Sequence, residues 1–267
     1  MLFLKGFVAA TVFAGFTVSA IAATADGVKA LQNKDYSTAV RELKAGVDRG
    51  DGEAEFYLGL MYGRGLGVEK DIAEAWRLYQ LAADKGNAQA QFRLGLRLEH
   101  GWGVQQNFTE ASQWYQKAAD QGDPYAANGI AALYEDGFGV EQDATAAARY
   151  YRMAADNGYP PAQFNLAQLV EKGKGVKRDL AESFRLYKKA ADRGYAQAQM
   201  KVSDMYAKGE GVIANRQQAY FWASLAVKQN EKAAQRRSAA LAASLTPEEQ
   251  ARTAKAVNDW KPVMASK

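Results

Sequence analysis

Gly50, Gly86, Gly122, Gly158 and Gly194 stand 36 residues apart, four intervals in succession. Other columns keep the same step: Gly65, Gly101, Gly137, Gly173 and Gly209; Gly67, Gly103, Gly139, Gly175 and Gly211; Val68, Val104, Val140, Val176 and Val212. A fixed period of this length is the mark of a solenoid, in which each repeat buries its apolar face only against its neighbours. The period constrains the fold far more tightly than it constrains the function.

Within each period the apolar residues follow helical spacing. Ala54, Leu58 and Tyr62 lie at i, i+4 and i+8, and recur as Ala90, Leu94, Leu98; Ala126, Ile130, Tyr134; Ala162, Leu166, Val170; and Ala198, Val202, Tyr206. A second stripe, Ala75, Tyr79, Ala82, recurs as Ala111, Tyr115, Ala118 and as Ala147, Tyr151, Ala154, with Ser183, Tyr187, Ala190 one change away. Each unit is therefore expected to be two helices, the first near 53–63 and the second near 71–85. The small column Gly59, Gly95, Ala131, Ala167, Ser203 suits a close crossing of the two.

The punctuation agrees. Asp71, Asn107, Asp143, Asp179 and Asn215 fill the N-cap column of the second helix, where a side-chain oxygen satisfies free backbone N–H groups. Three residues on, Glu74, Glu110, Glu182 and Gln218 predict a capping box in four of five units, Ala146 being the exception. Gly86, Gly122, Gly158 and Gly194 predict left-handed helix ends. Val68 and its equivalents are expected to plug the gap between adjacent helix pairs.

These columns together, A-x3-LG-x2-Y-x2-G-x-GV-x2-D-x3-A-x2-WY-x2-AA-x2-G, resemble the Sel-one-like repeat (SLR), a relative of the tetratricopeptide repeat. Gln-Trp-Tyr-Gln-Lys-Ala-Ala at 113–119 and Arg-Leu-Tyr-Lys-Lys-Ala-Ala at 185–191 carry the likeness most closely. The resemblance implies an all-α fold, a right-handed α/α superhelical solenoid of helix-pair repeats. It assigns 51–230 to five 36-residue repeats and 23–50 to an N-terminal capping helix pair. Residues 231–267 become C-terminal capping helices, the last starting at Thr246-Pro247. The fifth unit departs from the pattern, with Ala223 in the tyrosine column beside Phe221-Trp222, and its altered face is expected to meet the closing helices.

Residues 1–22 stand outside the repeat. Lys5 supplies a positive start, Gly6 to Val18 is apolar and uncharged, and Ala20-Ile21-Ala22 is a small-x-small cleavage site. This is the pattern of a secretory signal peptide cut between Ala22 and Ala23. A periplasmic protein is expected, with full secretion the alternative and no membrane span after processing. The chain has no cysteine, so disulfides, thiolate nucleophiles and cysteine metal sites are excluded. One histidine, His100, falls in a varied polar column and is read as a surface residue. No cofactor or metal is expected. Residues 51–158 carry 9 basic and 16 acidic groups, net −7, whereas residues 159–267 carry 19 and 10, net +9.

Two surface features stand out. The loop column between the glycines holds Leu66, Trp102 and Phe138, a candidate apolar row for a protein partner. It changes to Lys174 and Glu210 where the charge turns positive, and Lys172, Lys174, Lys177 and Arg178 form a candidate basic row. Glu135-Asp136 is read as a solvated rim rather than a catalytic pair. The expected role is that of a non-enzymatic, monomeric exported scaffold whose protein partner the residues do not identify. The resemblance adds assembly, envelope signalling or exopolysaccharide control as fields of action. Binding of an anionic glycan or peptidoglycan by the basic half is the alternative. A β-lactam-binding hydrolase is a remoter one, since the per-repeat cysteines of such relatives are missing. Export removes the chain from nucleic acid.

Overall fold

The computed structural model describes residues 23–229 and 232–263. The expected leader and cleavage site lie outside the described residues. Two compact units divide the chain at Asp123 and Pro124. The first holds α1 (residues 23–32), α2 (Tyr36–Asp48), α3 (Gly52–Arg64), α4 (Ile72–Asp84), α5 (Ala88–His100) and α6 (Phe108–Asp120). The second holds α7 (Pro124–Asp136), α8 (Ala144–Asp156), α9 (Pro160–Lys172), α10 (Leu180–Asp192), α11 (Ala196–Lys208), α12 (Arg216–Lys228), α13 (Lys232–Ala242) and α14 (Pro247–Asp259). Within each unit helices pack on their neighbours in chain order, as in a repeat solenoid, until the end of the chain, where α13 and α14 both pack on α12.

The core follows from the two stripes. In all five repeats the first two positions of the leading stripe are buried, and the third is half-buried except at Val170. In the first two repeats the tyrosine of the second helix lies against the small column of the first. A Cβ built on Gly59 would stand 3.0 Å from the Tyr79 ring, and one on Gly95 would stand 2.5 Å from Tyr115. At these two positions the ring, not the backbone angle, leaves little room for a side chain, while Ala131 and Ala167 hold the column to a single methyl in the third and fourth repeats. Ser203 keeps the column small and donates its hydroxyl to the Ala219 carbonyl at 2.7 Å.

The helix ends form as the column residues dictate. Asp71, Asn107, Asp179 and Asn215 each accept the N–H three residues on, at 2.9–3.0 Å. The reciprocal half of the expected capping box does not close there. Glu74 instead takes Arg77 at 2.7 Å, and Glu182 takes Arg152 at 2.7 Å. The N-cap N–H groups are already taken by carbonyls of the preceding helix, Asp71 donating to Tyr62 at 3.0 Å, Asn107 to Leu98 at 2.9 Å, Asp179 to Val170 at 3.2 Å and Asn215 to Tyr206 at 2.8 Å, so the N3 side chain has no donor to close on. Both halves of the box are present at Thr246 and Glu249. At the other end, the N–H of Gly86 goes to Ala83 and that of Asn87 to Ala82, a Schellman closure repeated at Gly122, Gly158 and Gly194.

In the fifth repeat Ala219 and Ala223 share a core cluster with Leu241 of α13, so the missing tyrosine makes room for the closing helix. Lys228 then donates to the Val257 carbonyl of α14 at 2.9 Å. The valine column is half-buried rather than sealed, and Val68 packs on the first core cluster.

Candidate functional site

In three repeats the second loop glycine docks on the first turn of the helix 31 residues earlier. A Cβ on Gly67 would lie 2.7 Å from that of Tyr36, and Gly175 and Gly211 are pressed as closely on Ala144 and Leu180. Gly103 differs from these three: nothing lies within 4 Å of its built Cβ. There the loop stands off from α4, and Ile72 and Trp102 are 49% and 52% exposed. Between them opens a cleft of about 720 Å³ in the first unit, lined also by Leu60, Trp76, Tyr79 and by Arg64, Arg93 and Arg97.

Two more departures from the repeat meet in this cleft. Repeats two to four carry Glu99, Glu135 and Glu171, which accept the hydroxyls of Tyr115, Tyr151 (3.1 Å) and Tyr187 (2.7 Å). The first repeat has Gly63 at that position, and its built Cβ would stand 3.8 Å from the Tyr79 hydroxyl. Among the described residues no carboxylate meets Tyr79, which is 6% exposed. Arg97 is the other departure. Its column otherwise holds Met61, Leu133, Leu169 and Met205, all buried.

Cations and rings are already arranged. The Arg97 guanidinium lies 4.7 Å from the Trp76 ring centre, and its Nε donates to the Trp102 carbonyl at 3.2 Å. Arg93 sits 5.5 Å from the Phe56 ring and 5.4 Å from that of Tyr79. Burial draws the Arg97 pKa down from its ordinary value. Burial raises that of Tyr79, with Arg93 and Arg64 opposing. Among the described residues none of the three arginines has a carboxylate partner, and none of the cleft's lining residues is acidic. Such a site can hold an anion beside an apolar group.

The expected surface residues fall in several environments. Leu66 is half-buried and packs on the first core cluster, so it is not an exposed anchor. Trp102 borders the cleft, with the exposed His100 ring 4.7 Å away. Phe138, 50% exposed, belongs to the second unit. Of the basic row, Lys172 and Lys177 are exposed. Lys174 pairs with Glu135 at 3.7 Å, and Arg178 donates to the Glu171 carbonyl at 3.0 Å, capping α9. Glu135 is correspondingly no idle rim, since it holds both Tyr151 and Lys174. The reading from sequence missed Tyr79, Arg93 and Arg97 because each lies in a helix that scans as core or surface. The signal was the exception in each column: glycine for glutamate, arginine for methionine or leucine.

Residues 52–87, 88–123, 124–159, 160–195 and 196–231 each match the family described as Sel1 repeat. A Sel1 repeat protein from Oxalobacter formigenes is 33% identical, with a TM-score of 0.69 over 76% of this chain and 83% of that one. The protein c5321, a protective antigen of uropathogenic Escherichia coli with an SLR fold, is 28% identical, with a TM-score of 0.56 over 83% of this chain and 55% of that one. The immunity protein Pa5087 from Pseudomonas aeruginosa is a more distant likeness, 23% identical with a TM-score of 0.46 over 78% and 81%. No curated protein matches. With five repeats in series and a solved relative of the same architecture, this chain belongs to the Sel1 repeat family.

Proposed function

We propose that this chain is a non-enzymatic adaptor of the cell envelope that holds a protein partner through the cleft of its first unit. The carrying observation is the convergence at one place of three departures from the repeat, at Gly63, Arg97 and the Trp102–Gly103 loop. Repeats that serve only to stack have no reason to put arginine into a core column. The Sel1 repeats support protein binding as the general role. Export to the periplasm, or beyond it, rests on Lys5, the apolar run and the Ala20-Ile21-Ala22 site. The experiment is crosslinking capture by the full chain in its own cell envelope. Trp102→Ser should lose the captured partner by faster dissociation, because a buried anchor acts mainly on k_off. A partner held equally by the variant would remove the cleft from the interface.

An anionic envelope polymer on the basic row is the weaker reading. Lys174 and Arg178 are engaged within the fold, which leaves Lys172 and Lys177 to carry it.

A further inference from the structure

The cleft has a chemistry of its own, and it sits against the prevailing charge. Residues 51–158 carry net −7, yet the cleft presents three arginines and no acid. Arg93 and Arg97 lie beside rings, and with the Arg97 Nε held by the Trp102 carbonyl, its terminal Nη groups and the Arg93 guanidinium are the donors a carboxylate would take in paired hydrogen bonds. Between them lie Ile72, Trp76 and Trp102, walls for a large apolar side chain. The space where other repeats carry a glutamate is vacant at Gly63, and the Tyr79 hydroxyl faces it as a buried donor.

Resting on the adaptor reading above, we propose that the cleft between α4 and the loop after α5 binds an acidic–aromatic segment of the partner protein. One aromatic side chain enters between Trp76 and Trp102. The flanking carboxylates take Arg64, Arg93 and Arg97, and one of them takes the Tyr79 hydroxyl in place of the missing glutamate. A volume of about 720 Å³ suits one or two residues of such a segment.

The test uses the full chain and an end-capped heptapeptide, fluorescein-labelled, with one phenylalanine flanked on both sides by glutamates. Anisotropy should show saturable binding that weakens as salt rises. Gly63→Glu restores the acid that the other repeats carry, and Arg97→Met restores the residue type of its column. Both are compatible with the fold and should melt no lower than the parent chain. Each should weaken the peptide by about tenfold or more, the loss of one charge-assisted contact or its blockage. Replacing the peptide's glutamates by glutamine, or its phenylalanine by alanine, should do the same.

Equal binding of the glutamine peptide, indifference to both variants, or no binding up to about 1 mM would overturn the assignment. So would an isolated aromatic carboxylate that binds as tightly as the peptide, since that marks a small-molecule pocket. Capture experiments separate this proposal from the adaptor reading. A partner held equally by the parent and Gly63→Glu chains overturns the cleft assignment and leaves an adaptor. Peptide binding as described, with no partner captured, supports the cleft and ends the adaptor reading.

Discussion

Gly67 and Gly103 occupy one column and adopt the same left-handed backbone, with φ of 69° and 67°. Their surroundings differ: Gly67 lies against Tyr36, with its built Cβ 2.9 Å from the Tyr36 carbonyl oxygen, and Gly103 against nothing. A side chain at either position meets the left-handed penalty of about 1–2 kcal/mol. Only Gly67→Ala also forces the loop off its neighbour, an overpacking cost of about 1–3 kcal/mol more. Urea melts should therefore show Gly67→Ala losing about 3 kcal/mol and Gly103→Ala about 1 kcal/mol. Equal losses would show that the column answers to its backbone angle alone, and the open cleft would lose its structural basis.

At the scale of helices, a buried polar column ties α4 to α5, α8 to α9 and α10 to α11. Gln91, Gln163 and Gln199 donate their amide N–H to the Ala83, Ala155 and Ala191 carbonyls at 3.1, 3.2 and 3.3 Å. Gln121 and Gln229 then donate to the oxygens of Gln91 and Gln199 at 2.8 and 2.9 Å. At the equivalent position Arg193 turns to the Gly158 carbonyl instead, and the Gln163 oxygen is buried without a partner. The Ala155 carbonyl also accepts from Gly158, so it stays satisfied without Gln163. Gln163→Leu should thus be neutral or stabilising, and Gln199→Leu should cost about 1 kcal/mol, since removing an unsatisfied group and removing a bonded one differ in sign. Equal thermal shifts would refute that distinction.

The tyrosine–glutamate pairs act at the same scale. Burial alone would raise the Glu171 pKa, but the Tyr187 hydroxyl and the Lys201 ammonium outweigh it and hold the carboxyl below its ordinary value near 4.5. A depressed folded pKa gives stability that is present above about pH 4.5 and lost as pH falls through the folded value. The melting gap between the parent chain and Glu171→Gln should accordingly be widest at neutral pH and narrow on acidification. A gap independent of pH would leave the ionised pair without a stabilising role.

For the whole molecule, the leader and the charge division set the expectations. Mass spectrometry of native protein should find a chain beginning at Ala23, with net charge reduced from +4 to +3 by the loss of Lys5. An intact Met1 would end the export proposal. What the sequence determined by itself was the periodic part: helix pairs, their caps, the buried stripes and the small column under each tyrosine. These are local or nearest-neighbour effects, repeated five times, so each column reports its own environment. The candidate row Leu66, Trp102, Phe138 was equally legible as a column, but a column does not say which way a loop residue folds. Leu66 found a core beside it and Trp102 did not. Likewise Lys174 and Arg178 read as free charge until Glu135 and the end of α9 were placed beside them. The cleft itself was decided only by tertiary structure. It joins α3, α4, α5 and the loop after α5, and it exists because side chains dozens of residues apart leave a volume unfilled. No single residue or spacing encodes such a vacancy; packing does.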